Sequence, residues 1–292
     1  MKKFPLHNKI AIISGGSEGL GFEISKKFIL AGASITICSR NKNNLKSAQF
    51  KLKKLLNKNQ KLLAISADVS KEKDVAKVIK MTIQKLGNCS ILVNNAGIYG
   101  PKNKIEKTNW KEWKKTIEIN LFGSVLMCRG LVDCFKKLKY GKIIQLSGGG
   151  ATSPLPYLSA YAASKAAVVR FAETLAKEVA EYNINVNSIS PGPLNTKMLD
   201  EIIKAGPDKV GLDTYNKSID QKKSGGSPLS KASDLAVFLA SPQSDGITGK
   251  LISAIWDKWE DWPKYINKIT NSDVYTLRRI VGKDRNFFKG DK

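Results

Sequence analysis

Tyr161 and Lys165 stand four residues apart in Tyr161-Ala162-Ala163-Ser164-Lys165, at the opening of a long apolar run that reads as a helix. Side chains at i and i+4 share one helical face, so phenol and ammonium point into the same space. An ammonium so placed favours the phenolate and lowers the phenol from its usual value of about 10, which suits a tyrosine that passes a proton near neutral pH. By itself a Tyr-x-x-x-Lys spacing is common on helices and mostly structural. The only histidine is His7, so acid–base chemistry in this chain falls to Tyr, Lys or carboxylates.

A second group of residues suits phosphate. Ser14-Gly15-Gly16-Ser17-Glu18-Gly19-Leu20-Gly21 follows an apolar, β-branched run and precedes a helical pattern. Glycines there let the backbone turn sharply, approach a pyrophosphate and pack the helix on the sheet, while the helix N-terminus attracts negative charge. Without flanking strand and helix, such a string is only a tight turn. The next strand ends Cys38-Ser39-Arg40, with no acid to hold the ribose 2′-hydroxyl of NAD. A serine followed by arginine offers a donor and a cation to the 2′-phosphate of NADP, with NAD as the alternative. Glu18 argues against this reading if its carboxylate points inward, and Arg40 read blandly is a surface arginine.

The elements that must carry these residues alternate. Short apolar runs at 9–14, 34–38, 62–66, 91–93, 142–146, 185–189 and 251–255 read as buried strands. Helical patterns at about 19–31, 42–58, 71–86, 109–135, 159–182 and 231–240 separate them. Strict alternation predicts a doubly wound parallel sheet with helices on both faces. An irregular stretch from about 193 to 228 is long enough to be a lid. Past Ile255 the alternation stops, and in the remaining tail Trp256, Trp259 and Trp262 recur every third residue.

In chain order, the glycine loop, Asn94-Asn95-Ala96-Gly97 after strand four, Asn120 in mid-helix, the Tyr161/Lys165 pair and Pro191-Gly192 resemble the short-chain dehydrogenase/reductase family over residues 7–255. The resemblance implies a single Rossmann-like domain of residues 1–257, followed by an atypical aromatic extension, 258–292, that packs on the body or on a partner subunit. It also implies an NAD(P)-dependent carbonyl reductase or alcohol dehydrogenase acting on a ketone or secondary alcohol. Under it, Gly15, Ser17, Glu18, Gly19, Leu20 and Gly21 form the phosphate loop, and Ser39 and Arg40 meet the adenosine ribose. Asp68 and Val69 are the adenine contact, Asn95, Ala96 and Gly97 the nucleotide wall, and Pro191, Gly192 and Thr196 the nicotinamide clamp. Tyr161 is implied as general acid/base, Lys165 as the group that holds ribose and tunes the phenol, and Asn120 as the anchor of a proton-relaying water. A homodimer or homotetramer built on the helices at 109–135 and 159–182 is implied as well.

Two departures stand out. The family carries a serine thirteen residues before the tyrosine, where this chain has Gly148. Ser147 can take its place only if Gly148-Gly149-Gly150 bends the chain; otherwise Thr152 or Ser153 folds back, or the site works without this donor. The strand-seven end reads Leu251 to Asp257 where an Asp-Gly-Gly turn often stands, and the tail aromatics, Tyr275, Phe287 and Phe288 included, point to packing. A catalytically silent nucleotide-binding scaffold of the same fold is the alternative reading.

Bulk composition constrains the rest. The 292 residues carry 49 basic and 25 acidic groups, a net charge of +24, with 42% hydrophobic residues. Between Asn41 and Lys61 seven lysines occur without an acid, opposite a stripe of Leu45, Ala48, Leu52, Leu55 and Leu56, so the excess reads as a solvated face. No nucleic-acid-binding motif accompanies it. Cys38, Cys89, Cys128 and Cys134 form no CxxC pair and sit in or beside apolar segments, which indicates neither disulfides nor a metal site. The start of the chain is too short and polar for a signal h-region and no apolar run spans a bilayer, so a cytoplasmic protein acting on a small molecule is expected.

Overall fold

A computed structural model of the chain describes residues 4–287. Strands and helices alternate as β1 (Ile10–Ser14), α1 (Gly19–Leu30), β2 (Ser34–Ser39), α2 (Lys42–Lys53), β3 (Leu62–Ser66), α3 (Glu72–Leu86) and β4 (Ile91–Asn94). The second half continues with α4 (Trp110–Ile117), α5 (Gly123–Leu138), β5 (Gly141–Leu146), α6 (Ser159–Glu178) and β6 (Ile184–Ser190). Four helices follow, α7 (Lys197–Ala205), α8 (Pro207–Val210), α9 (Leu212–Ser224) and α10 (Leu229–Ala240), before β7 (Leu251–Ser253) and α11 (Ile266–Thr270).

All seven strands pair in parallel in the order β3-β2-β1-β4-β5-β6-β7. Strands such as Ile91–Asn94 and Gly141–Leu146 are buried along their whole length, as a sheet covered on both faces requires. Phe28, Leu52, Leu235 and Phe238 fill one side and Val78, Met127, Leu131 and Phe135 the other. Strand order reverses between β1 and β4. The carboxyl ends of these two strands therefore open a crevice, the usual ligand position in such sheets.

Several sequence expectations are corrected. The single helix expected at 109–135 is interrupted by a π-helical turn, Glu118–Phe122, which holds Asn120. One residue inserted into an α-helix is invisible to an average periodicity. The helix expected over 42–58 stops at Lys53, so Leu55 leaves the apolar stripe and is exposed. The stretch at 193–228 is mostly helical rather than irregular: Gly206 and Gly211, both with positive φ, divide it into short helices, and Pro207 opens α8. The last strand ends at Ser253, two residues early.

In the tail, the three-residue spacing of tryptophans matches a 3₁₀ turn, Trp259–Tyr265, whose side chains repeat every third position. Trp259 and Trp262 are buried in the main core, whereas Trp256 is exposed. Farther on, the Leu251 amide donates to Tyr275 O at 2.7 Å beside the edge strand β7, and Lys250 Nζ donates to the carbonyls of Ser272 and Val274. Glu173 and Arg170 of α6 hold the amide and carbonyl of Leu277. Phe287 is exposed, and Phe288 lies outside the described residues.

Candidate functional site

The glycine loop is built by β1 and closed by β4. Ser14 Oγ accepts from the amides of Asn95 and Ala96, and Asn95 Nδ2 donates to the carbonyls of Ser14 and Gly15, all at 3.1 Å. These bonds staple the two strands at the point where the order reverses. Gly15 turns with φ +65° and Gly19 with φ +54°, which glycine adopts without strain. A Cβ on Gly21 would lie 2.2 Å from Gly15 O, so glycine is also what lets α1 start this close to the loop.

At the end of β2, Ser17 Oγ donates to Ser39 Oγ at 2.9 Å, and Arg40 lies exposed beside them. Glu18 lines the same cavity, where its carboxylate accepts from Asn44 Nδ2 at 2.9 Å and pairs with Lys197 of α7. Asp68 Oδ1 accepts from Ser70 Oγ at 2.7 Å and from the Ser70 amide at 3.1 Å, and its neighbours Ala67 and Val69 line the crevice.

At the other end, Tyr161 and Lys165 rise from the first turns of α6, both buried. The Tyr99 ring meets the Tyr161 ring edge-on, centroids 4.7 Å apart at 62°. Lys165 Nζ lies 5.7 Å from the Tyr161 ring centre and donates to Leu146 O at 2.6 Å. Burial pushes the phenol of Tyr161 above its ordinary range, with Tyr99 adding to the push, and burial pulls Lys165 down to about 8. The expectation that the ammonium lowers the phenol is thus reversed here, because desolvation disfavours phenolate and ammonium alike.

The Asn120 side chain is fully engaged: Oδ1 accepts from the Ile98 amide, and Nδ2 donates to Ile98 O and Ser164 Oγ, each at 2.9 Å. This leaves it no free side-chain donor for a water. Ser147 Oγ is buried without a hydrogen-bond partner among the described residues. Gly148 is extended, with φ −177°, and a Cβ there would sit 2.3 Å from Tyr161 Oη. The phenol therefore fills the space that a side chain at this position would take.

A cavity of about 310 Å³ joins the two ends. Every residue of the expected phosphate loop, together with Ser39, Arg40, Val69, Asn95 to Gly97, Ser147, Tyr161, Lys165, Pro191 and Thr196, lines it. Asp68, Asn120 and Gly192 do not. Gly192 instead turns the chain, with φ +85° and no room for a Cβ against Ile255. Sequence reasoning missed Ile98, Leu146, Leu194, Lys197 and Met198. Strand-end adjacency pointed to the first two, but nothing local marked the α7 residues.

The signature of the short chain dehydrogenases matches residues 9–206. This chain belongs to that family. It is 33% identical over 254 residues to a 3-oxoacyl-(acyl-carrier-protein) reductase of Chlamydia muridarum, covering 85% of this chain and 96% of the relative. It is 30% identical over 252 residues to a D-beta-hydroxybutyrate dehydrogenase of Rhizobium meliloti, covering 84% and 96%. A solved levodione reductase shares the fold with a TM-score of 0.78 at 23% identity, over 85% of this chain and 96% of that one.

As a short-chain dehydrogenase the protein is an NAD(P)-dependent oxidoreductase. Its residues fit such a cofactor. The crevice runs continuously from Arg40 to Tyr161, and a Cβ on Gly97 would meet Asn120 Oδ1 at 3.3 Å and Lys165 Nζ at 3.5 Å, so a bare backbone faces the cavity beside the ammonium. Among the described residues, no helix is long and apolar enough to cross a membrane.

Proposed function

We propose that the protein reduces a ketone, or oxidises the matching secondary alcohol, with NADP in preference to NAD, and that Tyr161 moves the proton. The observation that carries this reading is the placement of Tyr161 Oη against Gly148 in the cavity shared with Lys165, Ser147 and Thr196. Ser39 and Arg40 would hold the ribose phosphate, the glycine loop and the N-terminus of α1 the pyrophosphate, and Lys165 the second ribose. The bound nicotinamide supplies or accepts the hydride. A phenol kept protonated by burial suits donation to a carbonyl oxygen as negative charge develops there. Ser147 lines the same cavity, and its unpartnered Oγ would offer that oxygen a second hydrogen bond.

Oxidation of NADPH and NADH against a carbonyl panel tests the assignment. Turnover with NADPH, abolished in Tyr161→Phe while cofactor binding stays nearly intact, is the expected result. Substantial residual turnover in that variant would remove Tyr161 from the role. Assembly through the α4–α5 and α6 faces belongs to the same proposal, with exposed Trp110 and Phe122 as apolar surface. Sedimentation should give a dimer or tetramer at micromolar concentration, and monomer alone would contradict it.

A further inference from the structure

The groups packed on Tyr161 away from the glycine loop are apolar. Leu158, Ile202 and Val210 form a buried cluster with it, and Tyr99, Leu155, Met198 and Tyr215 close upon that cluster. Three separate segments meet there: the loop after β4, the loop after β5 and the helices α7 to α9. Met198 belongs both to this cluster and to the lining of the nucleotide cavity, so it marks where the two spaces join, beside the phenol.

Several charged groups near this cluster are already committed. Lys102, whose Nζ lies 5.8 Å from the Tyr99 ring centre, pairs with Glu201 of α7 at 3.1 Å and donates to Gly100 O at 3.2 Å. Asp200 pairs with Lys222 at 2.7 Å, Lys197 with Glu18, and Lys165 donates to Leu146 O. Arg40 stands at the far, nucleotide end. A carboxylate brought into the cluster of Tyr99, Leu155 and Met198 would lose its hydration and would have to displace Glu201 to pair with Lys102, whereas an alkyl chain or ring would meet mainly hydrophobic side chains.

We propose that the substrate is an uncharged carbonyl compound with an apolar chain or ring, seated between Tyr99, Leu155 and Met198 with its oxygen on Tyr161, and not a keto acid. This inference rests on the assignment of Tyr161 as proton donor. Two measurements keep the two ideas apart. The first compares methyl acetoacetate with acetoacetate, which present the same ketone and differ in charge and by one methyl group, and follows the series 2-butanone, 2-hexanone and 2-octanone. The ester should exceed the acid at least tenfold in kcat/KM, and each added methylene should raise kcat/KM about fourfold until the apolar surface is covered. The second measures binding of 2-octanone and acetoacetate to NADPH-loaded Tyr161→Phe by calorimetry, where the ketone should bind at least tenfold tighter.

Met198→Lys places a cation at the junction and should shrink the ester-to-acid ratio at least fivefold. Acetoacetate matching the ester, a flat chain-length series or an unchanged ratio in Met198→Lys would overturn the substrate class and leave the reductase assignment standing. Apolar-selective binding with no turnover in the wild-type protein would do the reverse. Neither binding nor turnover with any member would overturn both.

Discussion

Gly148→Ala is the most searching single perturbation of this site. Its φ of −177° is open to any residue, so alanine costs nothing in backbone conformation. The added methyl would stand 2.3 Å from Tyr161 Oη and 3.2 Å from its Cζ, about 1 Å short of ordinary contact. Because Tyr161 is hemmed in by Tyr99, Leu158 and Ile202, the ring has little room to retreat without disturbing the apolar cluster. A misplacement of about 1 Å in a reacting group costs on the order of 10²-fold in rate, and the overpacking about 1–3 kcal/mol in stability. The assay is steady-state kcat with NADPH, beside denaturant unfolding and cofactor titration. Turnover should fall about a hundredfold while cofactor affinity changes less than threefold. Gly148→Ser, which installs the hydroxyl that the family carries at this position, should lose activity for the same steric reason. Gly149→Ala, with nothing within 4 Å of its Cβ, is the control and should stay within threefold of wild type. Wild-type kcat in Gly148→Ala would refute the argument, since it would mean that the phenol does not work from this position.

Ser147→Ala should lower kcat by on the order of 10² to 10³ if its unpartnered hydroxyl binds the reacting oxygen, and a change below about threefold would remove it from that role. Arg40→Ala should weaken NADP by roughly one to two decades in titrations while hardly touching NAD, and equal losses for both would mean that the arginine reads no phosphate. Burial lowers Lys165 to about 8, so its positive charge is present below that pH and lost above it. Cofactor affinity should therefore fall as pH rises through about 8, approaching tenfold per unit, and Lys165→Met should bind weakly with no such slope. A slope that persists in Lys165→Met would place the titrating group elsewhere.

Much of this molecule is written in local sequence. Short β-branched runs alternating with 3.6-residue apolar periods specify a parallel sheet clothed on both faces, because each pattern depends only on neighbours along the chain. The glycine loop at Gly15, Gly19 and Gly21 and the one-turn spacing of Tyr161 and Lys165 are equally local, and the cavity lines up on them. Tertiary structure alone decided the rest. That Tyr161 Oη occupies the space above Gly148, that Ser147 Oγ is left without a partner and that Asn120 spends its amide on Ile98 and Ser164 all depend on segments brought together across the sheet. The reversal of the expected phenol shift has the same origin: spacing tells which groups are neighbours, whereas burial by Tyr99 and the α7 to α8 helices sets whether water solvates them. Glu18 and Lys197 are 179 positions apart. No periodicity relates such residues, and only the folded chain shows the carboxylate engaged by Asn44 and Lys197.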